Sequence, residues 1–228
     1  MQYIDEKRSL TEKFLGTAST LLGESTIKLL KIIFSNLERE ITLATIVDSE
    51  NPKSIELKNY IRSIASLSRY IHTETYNKDE NPDAEVFFHA DKFPVVSLID
   101  DENYYMGVKF HGLPVGDTLT AFILAIYYLA GPREELDPSL AQKIIAIDRP
   151  VDLKVCVSST GSSYSDTVVS AQRLALLNPN VQAEMIDIDL FPALKKHYGI
   201  KQVPALIIND ETIYFGPKTL DEILDYIL

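Results

Sequence analysis

The sequence predicts an α/β protein built from one unit used twice, and three observations carry that prediction. A strand–loop–helix stretch recurs about 110 positions later, a proline-initiated hairpin recurs at the same distance, and each copy closes on an apolar helix. TLATIVD (42–48) and LKVCVSS (153–159) are the paired strands. They lead through the polar loops SENPKS and STGSSYSD into helices. Leu57, Tyr60, Ile61, Ile64 and Ala65 share one face of the first helix, and Val168, Ala171, Ala175 and Leu176 one face of the second. Strands YIHTETY (70–76) and VQAEMIDID (181–189) follow.

The hairpins are the best-matched segment. KFPVVSLIDDENYYMGVKFHG (92–112) parallels QVPALIINDETIYFG (202–216), with Pro94 and Pro204 opening equivalent strands. In each, an acidic turn joins two strands and a glycine ends the second. The closing helices are LTAFILAIYYLA (119–130) and LDEILDYIL (220–228). Between the copies, GPREELDP (131–138) stops one helix and starts another, SLAQKIIAID (139–148). The expected organisation is a helical extension over 1–24, carrying Phe14, Leu15, Leu21 and Leu22, a first unit over 25–131, a linker helix within 132–150 and a second unit over 151–228.

Composition narrows the function classes. With 46% hydrophobic residues and a mean hydropathy of −0.01, the chain has ample core material. A net charge of −11 and a pI near 4.8 repel phosphate backbones and anionic lipid, so neither nucleic acid nor membrane is an expected partner. No apolar run approaches the roughly 20 residues that cross a bilayer. The single cysteine, Cys156, excludes an intrachain disulfide and a cysteine-only metal site, and fits a reducing cytoplasm. His72, His89, His111 and His197 stand in four different elements with no acid or second histidine at ligand spacing, so no metal site is expected. NKDENPDAE (77–85) reads as a solvated loop in place of a helix, and its spacing matches no EF-hand.

The β-α-β, Pro-β-β-α order resembles the thioredoxin fold. The second unit carries the sharper signature, IDID (186–189) followed by Tyr198-Gly-Ile-Lys-Gln-Val-Pro204-Ala. Two such units in tandem resemble the N-terminal domain of the bacterial alkyl hydroperoxide reductase flavoprotein and, more distantly, the protein disulfide oxidoreductases. IELKNYIRSIASLS (55–68), KFHGLPVG (109–116) and ALLNP (175–179) carry the likeness. The resemblance implies cis bonds before Pro94 and Pro204. It also implies a Cys-x-x-Cys where Gly161, Ser162, Ser163 and Tyr164 stand, with Ser165 in place of a proline. Serine cannot replace those thiols, because exchange requires a thiolate that both attacks sulfur and leaves it.

STGSSYSD therefore has two live readings. Ser162, Ser163, Ser165 or Asp166 caps the following helix while Gly161 supplies an unusual backbone angle. Alternatively, the helix N-terminus receives an anion or a partner's carboxylate. A serine nucleophile lacks both a G-x-S-x-G elbow and a histidine partner. Cys156, mid-strand, is expected to be core, with a redox-sensitive thiol as the alternative. Val203 and Pro204, and Phe93 and Pro94, are structural in the first instance. In relatives of the fold the residue before this proline also pairs with an extended partner segment. Tyr164, Val203 and Pro204 would then form a binding face, with Tyr164 as its amphipathic anchor.

The expected function is a redox-inactive, protein-binding module without a cofactor, docking a peroxiredoxin or a flavoprotein reductase, or pairing as a homodimer. The alternative is a thiol-disulfide or peroxide-detoxifying component that works through Cys156 or as the accessory part of a flavoprotein.

Overall fold

The computed structural model describes residues 22–133, 135–158, 161 and 164–228. Its elements run α1 (Glu24–Phe34), β1 (Ile41–Val47), α2 (Pro52–Ala65), β2 (Ile71–Asn77), α3 (Pro82–Phe87), β3 (Val95–Ile99), β4 (Tyr105–His111) and α4 (Asp117–Ala130). The linker helix α5 (Pro138–Ile145) leads into the second set. That set is β5 (Val151–Val157), α6 (Ser165–Leu177), β6 (Val181–Asp187), α7 (Pro192–His197), β7 (Ala205–Ile208), β8 (Thr212–Phe215) and α8 (Leu220–Ile227). The repeat holds to the residue: β1 and β5, β2 and β6, α3 and α7, and β3 and β7 all start 110 positions apart. One place breaks it. Four residues join β1 to α2, whereas seven, 158–164, join β5 to α6.

The acidic stretch 77–85 departs from expectation. It turns over 78–81 and then forms α3, with Pro82 in the first turn, where a missing N–H costs nothing. Asp83 and Glu85 complement the dipole there, and Ala84 and Phe88 pack onto the sheet. The apolar residues that favour a helix, Val86 to Phe88, lie just beyond the acidic run.

Sequence repetition did not reveal how the two units join. They share one eight-stranded sheet, ordered β2-β1-β3-β4-β6-β5-β7-β8. The seam is a parallel pairing of β4 with β6, placing Lys109 opposite Glu184 and His111 opposite Ile186. Two glycines flank it. A Cβ at Gly107 would come 2.7 Å from the Val181 carbonyl, and one at Gly112 would come 2.9 Å from Asp187 Cβ. Both have positive φ, +70° and +114°.

The main core covers one whole face of this sheet and runs across the seam, with Phe110 edge-on to Phe122 and α4 lying against α6. The opposite face carries two small cores, one under α3 around Phe88 and Val95, the other under α7 around Cys156 and Ile207. Between them a row of charges crosses the seam: Lys109, Glu184 and Lys154, in register on β4, β6 and β5. A polar groove of about 580 Å³ opens above that row.

The seam's dependence on close backbone approach is testable. Gly112→Ala should destabilise the protein by about 1–3 kcal/mol in urea unfolding. Gly199→Ala, also at positive φ but with nothing within 4 Å of the added Cβ, should cost less. Equal losses would show that the contact at Asp187 is unimportant.

Candidate functional site

The loop after β5 and the turn before β7 meet at one end of the second unit. Gly161 is exposed and its amide donates to the Ser158 carbonyl at 3.1 Å. Tyr164 folds back over it: a Cβ on residue 161 would sit 1.4 Å from the Tyr164 hydroxyl. The phenol thus occupies the space any side chain at 161 would need, so glycine here and tyrosine three residues on are coupled. Ser162 and Ser163 lie outside the described residues. At 6% exposure, Tyr164 offers a partner very little area, which argues against its expected role as a surface anchor.

The helix cap is also not the one expected from the loop's own hydroxyls. Among the described residues, the amides of Tyr164 and Ser165 both donate to Asp117 Oδ2, at 2.5 and 2.8 Å. Asp117 opens α4 in the first unit. A carboxylate from one repeat therefore caps the helix of the other, combining cap and dipole stabilisation. The anion foreseen at this helix N-terminus is supplied by the chain itself. A cap from outside the loop has no local sequence signal.

Across the loop, the Val203–Pro204 peptide bond is cis, as is Phe93–Pro94 in the first unit. Pro204 is buried and its carbonyl accepts from the Gly216 amide; Val203 is half-buried. None of the described residues hydrogen-bonds to the Val203 backbone amide or carbonyl.

Cys156 is fully buried among Ile186, Ala205 and Ile207. Burial pushes its thiol up to about 12, against a smaller opposing pull from Lys92, so it holds almost no thiolate at neutral pH. That removes the chemical basis for a redox role at Cys156.

The largest electrostatic feature is the charge cluster on the seam. Lys109, 1% exposed, donates to the His89 carbonyl at 2.7 Å and pairs with Glu184 Oε1 at 2.8 Å. Glu184 Oε2 meets Lys92 Nζ at 3.0 Å and His111 Nε2 at 3.3 Å. Burial alone would raise the Glu184 pKa. The His111 hydrogen bond and charge, with the ammoniums of Lys109 and Lys92, instead hold it far below the carboxylate range. Asp91, His111 and Glu184 bring potential ligand atoms within 4.8 Å of one another. Lys92 pairs with both acids, so a cation already holds that position. Sequence spacing missed this cluster because its members come from separate elements. A charged residue in the middle of each of three apolar strands, VKFH, AEMID and LKVC, was the available signal.

Of the other histidines, His72 faces Glu40 at 3.4 Å on the surface, and His197 packs edge-on to Tyr198.

Known proteins share this arrangement. The family described as "Thioredoxin domain" matches residues 151–228. The alkylhydroperoxide reductase AhpF of Enterococcus faecalis, solved as a C503A mutant, superposes with a TM-score of 0.87 at 38% identity. The match covers 91% of this chain and 100% of that one. The chain belongs to the family of the N-terminal tandem thioredoxin-like domain of AhpF. The Escherichia coli K12 member, an F-type component of alkyl hydroperoxide reductase, is 26% identical over 196 residues, 86% of this chain and 35% of that protein. A Bacillus subtilis protein named NADH dehydrogenase is also 26% identical, over 82% of this chain and 34% of its own length. The chain thus spans about a third of the curated relatives it matches. A protein disulfide oxidoreductase from Aeropyrum pernix, at 16% identity and a TM-score of 0.80, shares the fold. Within this family the chain has lost the Cys-x-x-Cys, since Cys156 is its sole cysteine. Among the described residues, no helix is long and apolar enough to cross a membrane.

Two outcomes check these assignments. Asp117→Ala should cost about 1–2 kcal/mol in equilibrium unfolding, and Asp117→Asn less, since the amide oxygen still accepts. A neutral Asp117→Ala would remove the inter-unit cap. Cys156 should resist Ellman's reagent in the native protein and react only on unfolding; rapid native labelling would contradict its burial.

Proposed function

We propose that this chain is a redox-inactive docking module of a peroxide-detoxifying system, binding a peroxiredoxin through the edge around Val203 and Pro204. One observation carries the reading: the tandem scaffold is complete, while the dithiol position holds Gly161 under the Tyr164 phenol and the sole cysteine is buried. Docking needs no sulfur. An extended segment from a partner could pair with the unbonded Val203 amide and carbonyl beside the half-buried valine, as in strand addition to a sheet edge. Gly161, exposed and without a side chain, leaves room for that segment.

A second reading has a specific observation behind it. Because the chain spans about a third of its curated relatives, it could serve as the accessory part of a flavoprotein that reduces a peroxiredoxin. Electrons would then have to travel through cysteines outside this chain's own site.

The experiment is titration calorimetry of the full chain against the peroxiredoxin encoded in the same genome, in its disulfide and reduced forms. Binding is expected, weakened at least tenfold by Val203→Asp, which places a charge on the pairing edge. Absence of binding to either form, or equal affinity for the variant, would overturn the docking reading.

A further inference from the structure

The unused chemistry of this molecule lies at the seam, where His111 and Glu184 pose a problem that neither residue solves alone. His111 is completely buried. Its Nδ1 lies 2.8 Å from the Lys92 carbonyl, and a carbonyl only accepts, so Nδ1 carries a proton. In the neutral imidazole Nε2 is then a bare lone pair, aimed at Glu184 Oε2 at 3.3 Å. Both atoms are buried and neither takes part in a well-formed hydrogen bond among the described residues. Two acceptors face each other in a site that water barely reaches.

We propose that this pair is a proton-operated coupling between the two units: taking up a proton at His111 Nε2 moves Glu184 Oε2 from Lys92 to His111 and loosens the β4–β6 seam. The competition is geometric. Lys92 Nζ lies 3.0 Å from the same oxygen and is also bonded to exposed Asp91, which can hold the released ammonium at the surface. Lys109 keeps Oε1 throughout.

The charges around His111 decide the direction. On its own strand stands Lys109, with the Tyr105 hydroxyl buried nearby. The segment before β3 contributes Lys92 and Asp91, and β6 contributes Glu184. Beyond Glu184 lie Lys154 and Asp152 on β5 and Asp210 on the β7–β8 hairpin. The Phe191 ring closes the remaining side, edge-on at 6.2 Å. Burial, followed by the two nearest ammoniums, outweighs Glu184, so His111 holds its proton less tightly here than in water. The open state, with ordinary histidine affinity, is the better base. Closed seams are therefore favoured above about pH 6.5, and opening becomes easier as pH falls below it.

Hydrogen exchange of the full chain between pH 7.5 and 5.5, corrected for intrinsic rates, reads this directly. Amides of residues 108–111 and 183–186 should lose protection relative to the β1–β2 pair below about pH 6.5, by a factor approaching ten per pH unit for one proton. His111→Gln should abolish that dependence. An NMR titration should place His111 below about 6.5 in the wild type and lower still in Glu184→Gln. The proposal fails if His111 titrates at or above that value, if seam and β1–β2 protection change together, or if His111→Gln behaves as wild type. Should His111→Gln not fold, the wild-type titration and exchange decide alone.

Discussion

The ion pair between Lys109 and Glu184 is the constraint on which the rest of the molecule depends. Each unit has an edge strand, β4 or β6, that would expose a row of unpaired backbone groups. Pairing the two edges removes both and forms one eight-stranded sheet. It also buries a lysine at 1% exposure and a glutamate at 5%, neither tolerable alone. Such a pair is weak evidence of net stability, yet either member without the other leaves an uncompensated buried charge. Register follows: a one-residue slip would turn Lys109 into the apolar core and Phe110 onto the charged face. The seam is held in place by what a mispairing would strand.

From that fixed seam the site's geometry follows. With β4 and β6 locked, α4 lies against α6, and Asp117 reaches the first amides of the neighbouring helix. The loop between β5 and α6 is three residues longer than its counterpart and has no side-chain cap of its own in the described residues. The carboxylate of the first unit therefore orders the position where relatives of this family carry sulfur. Tyr164 and Gly161 then share one small space. A side chain at 161 would have to displace the phenol, so loss of the two thiols is a joint replacement of two residues and not two independent ones.

Much of this was legible in the sequence. The 110-residue repeat, the strands and the hairpins were readable because they rest on local periodicity and on proline and glycine placement. Helix α3 was missed because its apolar residues lie past an acidic run that resembles solvated loop. The shared sheet was not legible, since repetition defines a unit and says nothing about which edge meets which. For the same reason the loop's cap was assigned to neighbouring serines, and Asp117, 47 positions before Tyr164, was overlooked. His111 looked isolated because Glu184 is remote in sequence and becomes its neighbour only through strand pairing. Tyr164 looked like a surface anchor because nothing local announces that it turns inward over a glycine.

The central claim is that the thioredoxin-like scaffold persists without its redox chemistry. Dithiothreitol-driven reduction of insulin by the purified chain tests it most directly. The account predicts a rate indistinguishable from dithiothreitol alone, unchanged in Cys156→Ser. Turnover above that background, lost on replacing Cys156, would contradict it.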